Sequence, residues 1–218
     1  MLSEITIPQG LTLASTLVFG FLLGLRHSLE PDHLAAVSTI VNDGKSFWRA
    51  TLTGCLWGVG HTLSLLIVGG LIILFKFDIG QAVERLFELL VAATLILLGA
   101  SALWRLYRHA RTETPENGHG HRHKSRSLLV GMIHGLAGSG TLTILISSTI
   151  SPPATAFFFL LIFGIGSISG MTVASLFLTL PLRITLFRFN VFHYFLRGFA
   201  GIVSLSFGSW LLLEYFAG

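Results

Sequence analysis

Charge is scarce in this sequence. Asp, Glu, Lys and Arg make up 11% of its 218 residues, whereas a soluble domain carries about 25%. So few charges cannot coat a water-soluble globule. Cysteine is nearly absent as well: Cys55 stands alone, so an internal disulfide and a CxxC thiol relay are both excluded. No GxxxxGK[ST] phosphate loop occurs, which argues against ATP-driven pumping within the chain. The segment before the first apolar run, "MLSEITIPQG", holds Glu4 and no Lys or Arg. A cleavable signal peptide needs a positive start, so the N-terminus is expected to be retained.

What remains is apolar. Hydrophobic residues make up 52% of the chain and mean hydropathy is +0.78. These values predict an all-α membrane protein sited in the lipid bilayer of the plasma membrane. Six spans are expected, at roughly 11–41 (long and interrupted), 50–75, 84–106, 127–150, 154–181 and 195–216. Net charge is +4, but the cations cluster beside spans and read as topology signals, so no nucleic-acid partner is expected. Lys45, Arg49, Arg105, Arg108, Arg111, Arg122, Lys124, Arg126, Arg183, Arg188 and Arg197 fall in or beside the first, third and fifth connections, against only Lys76 and Arg85 on the other side. The positive-inside rule then makes the odd connections cytoplasmic and both termini extracytoplasmic.

The spans also repeat. "GLRHSLEPDHLA" (24–35) aligns with "GMIHGLAGSGTL" (131–142), "GVGHT" (58–62) with "GIGSI" (164–168), and Gly99 with Gly208. The offsets stay between 106 and 109 residues. A duplicated three-helix unit is expected, 1–106 and 127–218, joined by a His-containing cytoplasmic loop at 107–126. An odd number of helices per unit makes the two copies inverted, an arrangement that places a site near the midplane.

"RHSLEPDH" (26–33) interrupts an otherwise apolar span. The repeat offset puts its centre near mid-bilayer, where each ionisable group costs roughly 3 kcal/mol on insertion scales and marks function. Pro31 removes a donor and clashes with the carbonyl four residues back, that of His27. The first helix is therefore expected to break at Glu30-Pro31, with the His27 carbonyl left free and Arg26 paired with Glu30 at i, i+4. The break lets His27, Asp32 and His33 converge. Two imidazoles and a carboxylate suit nickel, cobalt, zinc, iron or manganese, whereas calcium or magnesium would want mostly oxygen ligands. His61 reaches the same depth from the second span. His134 reads equally as a further ligand and as a satisfied packing residue. Ser139, Thr141, Ser167 and Ser169 could line a polar path, although helix–helix hydrogen bonding explains each singly. His119, His121 and His123 alternate in "GHGHRHK", as either an accessory metal loop or a soluble linker.

"LGLRHSLEPDHLAAVSTI" has His27, four residues, then Asp32-His33, and so resembles the His-x4-Asp-His motif of the nickel/cobalt transporter (NiCoT) family. "GHTLSLL" from Gly60 resembles the Gly-His motif of that family's next helix. The resemblance covers residues 20–70. It implies a divalent-metal permease with His27, Asp32, His33 and His61 in its metal site. The second half departs from the family: "GLAGSGTLT" (135–143) stands where members carry acids, with Ser139 and Thr143 at the acid positions. Six spans in place of eight, and "VGMIHGLAGSGTL", look more like the compact urease-accessory branch associated with nickel supply.

These readings favour nickel or cobalt uptake, with export in the same class and a membrane-embedded metalloenzyme in a different one. The chain is not expected to be an enzyme or to hold a tight cofactor. Ni²⁺ or Co²⁺ would be its cargo, with cytoplasmic nickel chaperones as expected partners.

Overall fold

The computed structural model describes residues 13–41, 46–76, 80–111, 120–136, 144, 148, 150–186 and 190–217. Its described elements are all helical. They are α1 (Leu13–His27), α2 (Pro31–Val41), α3 (Phe47–Phe75), α4 (Gln81–Arg111), α5 (Gly120–His134), α6 (Pro153–Leu186) and α7 (Asn190–Ala217). Within these, Phe47–Phe75, Gln81–Arg108, Pro153–Leu180 and Tyr194–Ala217 are long and apolar enough to cross a membrane, and Leu13–His27 is a shorter apolar helix. The outer surface is apolar, with Val18, Leu22, Leu74, Leu97, Phe177 and Leu213 more than half exposed. A bundle with spanning helices and such a surface is a multi-pass membrane protein. Exposed Trp48 opens α3, and exposed Trp104 and Tyr107 lie near the end of α4. Amphipathic rings at helix ends suit the membrane interface.

The first expected span, 11–41, contains two helices. α1 ends at His27, and α2 begins with Pro31 at its first position, where a missing N–H costs nothing. The break is a three-residue turn, and it satisfies the last carbonyls of α1. Glu30 N–H donates to the His27 carbonyl at 3.0 Å and Leu29 N–H to that of Arg26 at 3.0 Å. The expectation of a free His27 carbonyl is thus corrected: a tight turn satisfies it. The Ser28 hydroxyl donates to the Leu25 carbonyl at 2.6 Å and braces the same turn.

α3 packs against α6 and α5, α1 against α6, and α4 against α7. α2 sits among α7, α6 and α4, burying Ala35, Ala36 and Val37. Glycine sets the closest approaches. A Cβ on Gly24 would strike the Phe163 carbonyl, and one on Gly131 the Trp57 carbonyl. The two glycines are 107 residues apart and their partners 106 apart, so the α1–α6 and α5–α3 seams are built alike. Residues 107–111 complete α4 and 120–126 open α5, so both ends of the expected loop are helical. Residues 112–119 lie outside the described residues.

Candidate metal centre

The turn after α1 decides the geometry. On one continuous helix, side chains six residues apart would point about 120° away from each other. With the turn in place, the His27 and His33 rings meet edge to face, their centroids 4.5 Å apart. α3 supplies His61 from its midpoint, the position deepest in a bilayer. Its Nε2 stands 3.0 Å from His27 Nε2, and its ring centroid is 5.3 Å from that of His33. One nitrogen from each of His27, His33 and His61 lies within 4.8 Å of the other two. Two imidazoles that ligate one ion at about 2.0–2.1 Å stand about 2.9–3.4 Å apart, and the His27–His61 pair already meets that spacing.

Carboxylates hold the outer edges of two rings. Glu30 Oε2 lies 3.2 Å from His27 Nδ1, and Asp32 Oδ1 lies 2.9 Å from His33 Nδ1. A carboxylate on one ring nitrogen fixes the tautomer and turns the lone pair of the other inward, which is how metal-binding imidazoles are commonly oriented. His134 Nδ1–H donates instead to the Val130 carbonyl at 3.1 Å, and its ring lies 5.7 Å from that of His33. All four imidazoles are shielded: His27 is 3% exposed, His33 and His134 1%, and His61 0%. His33 Nε2, His61 Nδ1 and His134 Nε2 are buried with no hydrogen-bond partner among the described residues. Leaving such groups dry and unbonded would cost about 1–3 kcal/mol each, a cost that a ligated ion or a bound water offsets. Nitrogen donors of this type suit nickel, cobalt, zinc, copper or iron, and not calcium or magnesium.

Residues 27, 32, 33 and 61, singled out in the sequence, therefore come together. His134 joins them beside His33 but outside the close trio. Asp32 also groups with Glu30 and His33 as a mixed oxygen–nitrogen set. Ser167 and Ser169 spend their hydroxyls on the backbone: Ser167 donates to the Gly24 carbonyl at 3.3 Å, and Ser169 to that of Ile165 at 2.8 Å. Ser139, Thr141 and His119 lie outside the described residues, as do the side chains of His121 and His123. Two participants were missed in the sequence. The i, i+4 spacing suggests a Glu30–Arg26 pair, yet Glu30 turns to His27 while Arg26 is exposed. Trp57 packs edge to face on His134 with centroids 5.2 Å apart. Its position four residues before His61, one helical turn away, was the available signal.

A multi-pass membrane protein with a buried imidazole cluster at mid-helix depth is the class that fold and site define. The chain is 36% identical over 205 residues to the urease accessory protein UreH of Bacillus sp. (strain TB-90), covering 90% of each chain. It belongs to the UreH-type family, as "VGMIHGLAGSGTL" (130–142) and the compact size suggested within the wider nickel/cobalt transporter resemblance. More distantly it is similar to the hydrogenase nickel incorporation protein HupN of Bradyrhizobium diazoefficiens, 29% identical over 45% of this chain and 29% of that one. It is also similar to the chloroplast protein FOR GROWTH AND FERTILITY 2 of Arabidopsis thaliana, 28% identical over 70% of this chain and 44% of that one. No protein-family model and no solved structure matches the chain.

Proposed function

We propose that this chain is a permease that takes up a divalent transition-metal ion, nickel or cobalt, through the imidazole centre. The observation that carries the reading is the trio His27, His33 and His61, buried at the depth of the α3 midpoint with two rings turned by carboxylates. A relative named for urease accessory function and one named for nickel incorporation support the choice of metal. Six spans in two inverted units, 1–106 and 127–218, with both termini extracytoplasmic, complete the reading. The matched seams at Gly24 and Gly131 support it.

In this mechanism the ion exchanges water for imidazole nitrogens as it reaches the centre, which offsets the cost of dehydration. Asp32 and Glu30 hold the rings and balance charge. His134, beside His33, offers the next nitrogen along the path. Movement of one three-helix unit against the other then exposes the ion to the cytoplasm, where nickel chaperones would receive it. Protons compete with the ion for the same nitrogens and so assist release.

Titration calorimetry of the detergent-purified protein tests the site. One Ni²⁺ per chain is expected, with binding abolished by His33→Ala and by His61→Ala in protein that still inserts and folds. Undiminished binding in His33→Ala would remove the trio as the site.

A further inference from the structure

Glu30 and Asp32 face two ways. Each holds an imidazole of the centre, and each also lines a cavity of about 450 Å³ between α2, α4 and α7. Across this cavity stand Arg85 and Glu88 from the first turns of α4, and Glu214 from the last turn of α7. Arg85, Glu88 and Glu214 are exposed, whereas the side chains of Glu30 and Asp32 are 35% and 22% exposed. The cavity therefore runs from the exposed start of α4 and end of α7 to the outer edge of the imidazole cluster. Four carboxylates line it against one guanidinium. At its inner wall the Asp32–His33 hydrogen bond leads to His33 Nε2, which is buried and has no partner among the described residues.

The volume fits a hydrated cation. Water occupies about 30 Å³ per molecule, so an ion with about six waters needs roughly 180 Å³. Low-dielectric walls carrying one sign of charge focus the field and raise local counter-ion concentration. The chemistry also changes along the path, from oxygen donors that any hard divalent cation accepts to nitrogen donors that select transition metals.

We propose that this cavity is the vestibule through which a hydrated divalent cation reaches the imidazole centre, with Glu88 and Glu214 gathering the ion and Glu30 and Asp32 receiving it beside His27 and His33. The inference rests on the reading of that centre as a metal-transport site. Glu88 and Glu214 act on arrival. They leave the equilibrium affinity of the imidazoles alone, and their effect is long-range and screened by salt. Arg85 opposes them.

Initial rates of radiolabelled nickel uptake into vesicles, measured against nickel concentration at low salt and at about 0.5 M salt, test this. The Glu88→Gln/Glu214→Gln pair is expected to raise KM about 10-fold at low salt. Vmax and the calorimetric affinity of the purified protein should stay as in wild type, and the KM gap should close at high salt. Glu88→Asp/Glu214→Asp should restore the low KM, and Arg85→Gln should lower it below wild type. A wild-type KM in the Gln pair at low salt, or a gap that survives high salt, overturns the vestibule. If the Gln pair fails to reach the membrane, Arg85→Gln decides, and an unchanged KM there overturns it equally. Failure of the transport reading itself looks different: wild-type protein then neither binds nor moves nickel.

Discussion

His33 is where the interactions of the centre meet. Its ring touches His27, His61 and His134, and its Nδ1 is held by Asp32. A direct ligand and the residue that orients it should differ in how much their loss costs. Replacing an orienting partner typically costs 10–100-fold in metal affinity, so Asp32→Asn and Glu30→Gln are expected in that range by calorimetry, with His33→Ala well beyond it. Equal losses in Asp32→Asn and His33→Ala would make Asp32 a direct ligand. At this scale much was legible in the sequence, because His27, Asp32, His33 and His61 interrupt apolar runs and each is too costly in lipid to be idle. Glu30 was not legible in its role. Its spacing from Arg26 suits an i, i+4 pair on an unbroken helix, and only the turn at 28–30 aims it at His27 instead.

At the scale of elements, two devices shape the site: the break before α2 and the glycine seams. Pro31 forbids a continuous helix through Ser28–Glu30. Pro31→Ala removes that prohibition and lets the segment wind on, which rotates His33 away from His27. Nickel affinity is expected to fall several-fold with expression unchanged, and an unchanged affinity would show that packing around α2 alone holds the turn. The seams should tolerate less. At Gly131 the obstacle to a Cβ is the Trp57 backbone carbonyl, which no rotamer change can move. Gly131→Ala is expected to cost about 1–3 kcal/mol, the range for overpacking a tight contact, read as a lowered unfolding midpoint in detergent. Four of the expected spans, near 50–75, 84–106, 154–181 and 195–216, were foreseeable from apolar runs of about 20 residues. Helix ends were less so: α4 continues to Arg111 and α5 opens at Gly120, because a helix leaving the bilayer need not stop where its apolar stretch does.

For the whole molecule, loop charge and repeat offset bear on topology, and neither depends on contacts between distant residues. Reporter fusions at the two termini are expected to give the same extracytoplasmic signal, and opposite signals would break the six-span reading. His119, His121 and His123 belong to a connection outside the bilayer on this account. Their joint replacement by Ala should leave maximal nickel uptake intact, and its loss in well-inserted protein would place that connection on the obligatory path. The vestibule could not be read from the sequence, because Glu88 and Glu214 lie in different spans and share a cavity only once α4 and α7 pack. In the proposed mechanism ions cross in one direction through the imidazole centre. Radiolabelled nickel flux in right-side-out and inside-out vesicles tests it most directly. The account predicts saturable uptake into right-side-out vesicles that carry wild-type protein and none with His33→Ala. Flux confined to inside-out vesicles, or wild-type flux in His33→Ala, would contradict it.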